Sequence, residues 1–161
     1  MELFILLIAM GVGATATMDL WALLQRRTFG IPSLDYALVG RWLGHMPKGR
    51  FVHDTIAAAP PVSGEKAIGW IAHYLIGVAF AGILLLLGGA AWVARPNLGL
   101  ALGVGLLTVA APFFLMQPAM GFGVAASRLP NPHIARLRGL MTHLIFGAGL
   151  FGSAWLATQA F

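Results

Sequence analysis

The chain has 161 residues, 59% of them hydrophobic and 9% charged, with a mean hydropathy of +0.85 and a formal charge of +5. A single soluble core of this size cannot hide so much apolar surface; the hydrophobicity also excludes disorder, and the charge is too sparse for a nucleic-acid stripe. Cys is absent, which removes disulfides, thiolate metal sites, Fe–S clusters and covalent haem attachment.

A membrane span needs about 20 apolar residues. Four segments qualify, at 3–24, 67–87, 98–116 and 140–160. In lipid their backbone groups are satisfied internally only as helices, and strict alternation, the mark of a β-barrel, is missing. Within the first segment Ala14-Thr15-Ala16 has the form of a cleavage site. Met1-Glu2 supplies no basic n-region, however, and the apolar run continues to Leu24 before Arg26-Arg27. It is therefore read as a retained span.

Between the first and second spans, residues 33–45 carry Leu34, Ala37, Leu38 and Trp42 at helical spacing. They predict a short amphipathic helix in the interface, capped by Ser33. Trp21, Trp42, Trp70 and Trp92 read as belt anchors and His45 and His133 as interfacial. Pro112 and Pro118 are expected to kink or end the third span.

Orientation follows from the basic residues. Arg26, Arg27, Arg41, Lys48, Arg50 and Lys66 lie in or beside the first connection, Arg128, Arg136 and Arg138 in or beside the third, and Arg95 in the second. That split predicts cytoplasmic first and third connections and both termini outside. The expected class is an all-α integral membrane four-helix bundle, a single multi-pass domain over 1–161 in a bacterial inner membrane. Its partners are the lipid bilayer and further copies or subunits, with no nucleic acid.

An internal repeat is also visible. Residues 66–88 align with 136–158 at a shift of 70, pairing Lys66 with Arg136, Gly69 with Gly139, His73 with His143 and Gly77 with Gly147. At a shift of 92, Gly11-Val12-Gly13 meets Gly103-Val104-Gly105 and Gln25 meets Gln117. Two parallel two-helix halves, about 1–88 and 95–161, are expected.

Ionisable residues within spans are costly and are functional candidates by default. Asp19 lies seven residues before Arg26; His73 and His143 lie seven after Lys66 and Arg136. All three are thus expected at one depth, about 10 Å inside the cytoplasmic boundary. Gln117 and Thr142 join them as candidate ligand contacts, while Thr15 and Gln25 lie close by. Gly69, Gly77, Gly139 and Gly147 fall on the faces of the two imidazoles. They either let helices approach closely or make room for a ligand. His53, Asp54 and Glu65 are candidates for a surrounding shell that relays protons, against the plainer reading of solvated loop residues.

Arg50-Phe51-x-His53, Pro61-Val62-x-Gly64-Glu65, Gly69-Trp70-x2-His73-Tyr74-x2-Gly77 and Arg138-Gly139-x3-His143-x3-Gly147 resemble the bacterial membrane-protein family catalogued as family 2938 of the domains of unknown function. The resemblance implies a four-span inner-membrane protein and carries no activity.

Three functions compete. The first is binding or passage of a small ion or molecule at Asp19, His73 and His143, with imidazoles that titrate near neutral pH. The second is a cofactor protein, with b-type haem on His73 and His143 or a divalent metal on His73, His143 and Asp19. The third is a non-catalytic accessory or assembly subunit. Enzymatic chemistry is not expected, because only one carboxylate lies in the membrane and no intramembrane Ser accompanies a His.

Overall fold

The computed structural model describes residues 2–160. It is all-helical, and among the described residues there is no strand. Among the described residues four helices are long and apolar enough to cross a membrane, as expected of a four-helix membrane bundle. The first, α1 (Glu2–Phe29), runs beyond the predicted end at Leu24. Arg26 and Arg27 end the apolar run but not the helix, because cations suit the last turn. Gly30 then takes a φ of +64° and the chain turns away.

Helix α2 (Tyr36–His45) replaces the predicted helix at 33–45. Its cap is Asp35 rather than Ser33: the Asp35 carboxylate accepts the Ala37 N–H at 3.0 Å. Helix α3 (Glu65–Ala94) breaks its geometry at Gly89, where φ is +62°. Helix α4 (Leu98–Thr108) is followed by a π-helical turn (Pro112–Met116) and a short α5 (Gln117–Ala119). Pro112 has no N–H for the carbonyl four residues back, so the ladder widens there. The kink expected at Pro112 is thus a π turn. Helix α6 (Pro132–Ala160) begins eight residues before the predicted span. Its first two turns, 132–139, carry His133, Arg136 and Arg138 ahead of the apolar run yet form helix readily, with Pro at the first position.

The chain divides into two compact units. The first contains the described part of α1, Tyr74–Thr108 and the α6 residues from Leu140 on. Its core is Met10, Ala14, Ala81, Leu84, Trp92, Ala101, Val104, Phe146, Leu150 and Ala154. Helices meet there at small residues: Gly11 lies against the Val78 backbone, Gly77 against Thr15, Gly105 against Gly147, and Gly149 against Ala14 and Thr17. Lipid gives no hydrophobic drive for helix pairing, so close backbone contact supplies it. The outward faces are apolar, with Leu86 86% and Leu20 66% exposed.

The second unit comprises Leu34–His73 and Val109–Gly139. Its α2 crosses the start of α3 at Gly40 and Gly69, where a Cβ on Gly69 would collide with the Tyr36 carbonyl. Residues 53–56 are tied to 119–120 by His53 N–H to Ala119 O at 2.8 Å and Ile56 N–H to Met120 O at 3.1 Å. Trp42, Ile56, Ala119 and Met120 form the core. Trp42, expected at the membrane boundary, is 9% exposed and donates Nε1–H to Phe51 O at 2.8 Å. Trp92 in the first unit is likewise buried, donating to Asn97 O.

Gly69→Ala is expected to push α2 off α3 and cost about 1–3 kcal/mol, the usual range for overpacking. Gly103→Ala, in α4 with open space around it, is expected to stabilise by about 0.5–1 kcal/mol. Denaturation midpoints and amide exchange of α2 check both, and equal effects of the two changes would contradict the crossing.

Candidate functional site

The first unit holds Asp19 and His143, each bonded to a hydroxyl. Tyr74 on α3 donates its O–H to Asp19 Oδ2 on α1 at 3.0 Å. His143 on α6 has its Nδ1 2.9 Å from Thr108 Oγ1, at the end of α4. The Thr108 hydroxyl also lies 2.7 Å from Gly105 O. A hydroxyl has one proton to give, and the Gly105 carbonyl can only accept. Thr108 therefore donates to Gly105 and accepts from His143 Nδ1–H. This fixes the neutral ring as the Nδ1–H tautomer, with Nε2 as its acceptor nitrogen. Thr142 is half-buried beside it.

His73 lies in the second unit. Its Nε2 is 3.0 Å from the Tyr36 hydroxyl. The Tyr36 ring stacks on the imidazole with centroids 4.3 Å apart and also meets Trp70 at 4.5 Å. The glycines around the two imidazoles all face protein. Gly69 meets Tyr36 and Gly40, Gly77 meets Thr15, Gly139 meets the Phe113 ring, and Gly147 meets Ala101 and Leu102. Gln117, the remaining candidate, keeps its Oε1 buried with no hydrogen-bond partner among the described residues. Among the described residues no group of three or more His, Asp or Glu side chains is placed to hold a metal ion.

The loop between α2 and α3 is more ordered than its composition suggested. Arg41 on α2 makes a two-pronged bond to Glu65, at 2.8 Å for each oxygen, and reaches the carbonyls of Ala57 and Ala59 at 3.1 and 3.2 Å. Glu65 also accepts the Val62 N–H at 2.9 Å, half of a capping box at the start of α3. The bond to Glu65 holds the Arg41 guanidinium above its usual pKa. Asp54 stays exposed. His45 and His53, taken from the sequence as an interfacial and a loop residue, are both 5% exposed and bonded to each other, Nδ1 to Nε2, at 2.9 Å. Nothing periodic links two residues eight apart across a turn. The available hint was two His bracketing Pro47 and Gly49 in an otherwise compact loop.

Burial pushes the His53 pKa below its ordinary 6.5, and the neighbouring His45 and Arg50 act in the same direction. A His with a lowered folded pKa contributes stability in full above about 6.5 and loses it as pH falls through the folded value. Amide protection of His53 and Ile56 is therefore expected to hold at neutral pH and to decline on acidification below that point. His53→Gln, which keeps a side-chain amide near the Nε2 position, is expected to flatten this decline. Amide exchange followed against pH checks it, and an equal slope in both proteins would contradict the assignment.

The chain was also compared with known proteins. The family described as "Protein of unknown function (DUF2938)" matches residues 8–157. Comparison with curated proteins and with solved structures finds no match. The motifs at Arg50–Gly77 and Arg138–Gly147 lie inside the matched stretch, as do the greater parts of all four apolar helices. This chain, a membrane protein by the length and apolarity of those helices, belongs to the DUF2938 family of proteins of unknown function.

Proposed function

We propose that this protein binds or passes a small ion or molecule in a bacterial inner membrane, and that Asp19 and His143 of the first unit act on it. His73 does the same work from within the second unit. The observation that carries the reading is the kind of partner these groups have. Asp19 is met by the Tyr74 hydroxyl, His143 by the Thr108 hydroxyl and His73 by the Tyr36 hydroxyl. Such bonds survive a change of charge: Tyr74 can donate to Asp19 whether it is ionised or protonated, and Thr108 accepts from His143 Nδ1–H in the neutral ring and the imidazolium alike. Ionisable residues retained inside spans mark ion or proton routes by default. The excess of basic residues in the first and third connections favours a cytoplasmic opening.

One observation favours a second reading, an accessory or assembly subunit. Gly69, Gly77, Gly139 and Gly147 all face neighbouring protein, and close packing alone accounts for them.

Purified protein in liposomes with an entrapped pH dye separates the two. An imposed pH difference is expected to collapse faster than in empty liposomes. Asp19→Asn and His143→Gln are each expected to slow that collapse by about tenfold or more. Undiminished flux in both variants rejects the route, and no flux in the parent favours the assembly reading.

A further inference from the structure

The paired imidazoles of the second unit form a site of their own, apart from the groups used above. His45 Nε2 lies 3.0 Å from Pro60 O, and His45 Nδ1 lies 2.9 Å from His53 Nε2. A carbonyl only accepts, so His45 Nε2 carries a proton. In neutral His45 the lone pair is then on Nδ1, and His53 must donate Nε2–H to it. Neutral His53 is left with its lone pair on Nδ1. That atom is buried and has no hydrogen-bond partner among the described residues.

Two protons on the two rings make two hydrogen bonds and leave one bare nitrogen. A third, added at His53 Nδ1, disturbs neither bond. A fourth would set N–H against N–H across the 2.9 Å contact. We propose that His45 and His53 together bind one proton and exclude a second, with His53 Nδ1 as the acceptor. Pro60 orients the pair through its carbonyl, and burial makes that acceptor harder to protonate than an isolated ring.

His53 lines an open depression of about 360 Å³ together with Arg50, Asp54, Thr55 and Pro60. The proton enters from there, from water or from a donor held in the depression. The charged groups around the pair set its affinity in opposite senses. Arg50, on the same loop, disfavours a further positive charge on His53. Glu65 of α3 interacts favourably with a charge on His45 and is itself bonded to Arg41 of α2. Asp54 is exposed on the depression. Opposite His53, residues 117–121 contain no titratable side chain. They contribute the Ala119 carbonyl, which favours the charged ring. A metal ion is the rival occupant of the lone pair. No three-ligand group is present among the described residues, and a proton needs no room at an atom already covered.

The test uses the full chain labelled with ¹⁵N-histidine in lipid nanodiscs, read by side-chain ¹⁵N shifts from about pH 8 to about pH 4. Readings are taken wherever the Trp42 indole N–H keeps its folded position. Peaks are assigned by their loss in His45→Gln and His53→Gln. If either variant does not fold, elimination with His73→Gln, His133→Gln and His143→Gln serves instead. At the upper limit both rings are expected as Nε2–H tautomers, and acidification is expected to add one proton to the pair, at His53 Nδ1. An Nδ1–H tautomer of His53 at high pH overturns the proposal, as does uptake of two protons or of none. A shift of the His53 peaks on adding Zn²⁺ at constant pH overturns it in favour of a metal site.

Discussion

A polar group removed from water must find its partner within the protein. That constraint shapes both compact units. In the first, Thr15 and Thr17 return their hydroxyls to the carbonyls of Gly11 and Gly13 at 2.7 and 2.8 Å. Neither then presents a bare hydroxyl where helices meet, and close approach at Gly11, Gly77, Gly105 and Gly149 becomes possible. In the second unit the same demand is met by loops. Arg41 gathers two carbonyls and a carboxylate, and the 53–56 stretch gives two N–H groups to 119–120. An irregular loop holds one structure when its backbone bonds are spent in this way.

The coarse architecture was legible because it depends on sums. Four apolar stretches of span length require four helices wherever they fall, and the structure places helices on all four. Helix ends were less legible. Hydropathy falls at Arg26 and before Leu140, but backbone hydrogen bonds continue through polar turns, so α1 and α6 extend beyond the apolar runs. The Ser33 cap failed for a local reason. Asp35 stands nearer the first turn and offers a stronger acceptor to the Ala37 N–H.

Partners were the least legible feature, because they depend on which helices are neighbours. Asp19, His73 and His143 stand out in any hydropathy profile, whereas Tyr74 and Thr108 pass as ordinary members of apolar runs. Their hydroxyls carried the missing signal. A Tyr or Thr in a span must bond to something, and two of them bond to the very groups the sequence singled out. Trp42 and Trp92 misled in the opposite direction. The indole N–H that suits a membrane boundary suits equally a buried carbonyl such as Phe51 O or Asn97 O.

Backbone carbonyls also decide where the histidines keep their protons. His143 donates from Nδ1 because the Thr108 hydroxyl is already committed to Gly105 O. His45 donates from Nε2 because Pro60 O lies opposite that nitrogen. In both cases a group that can only accept, placed one or two bonds away, selects the tautomer, and no charge is needed to do so. The consequence is a division of labour between fold and chemistry. Helix and loop geometry set which ring nitrogen has the lone pair, and nearby charges such as Arg50 and Glu65 set only how tightly it holds a proton. Pro60 suits the first task because it has no N–H and lies outside any helix, so its carbonyl is not drawn into a ladder. A substitution that moved that carbonyl would therefore redirect the whole chain of bonds and not merely weaken it.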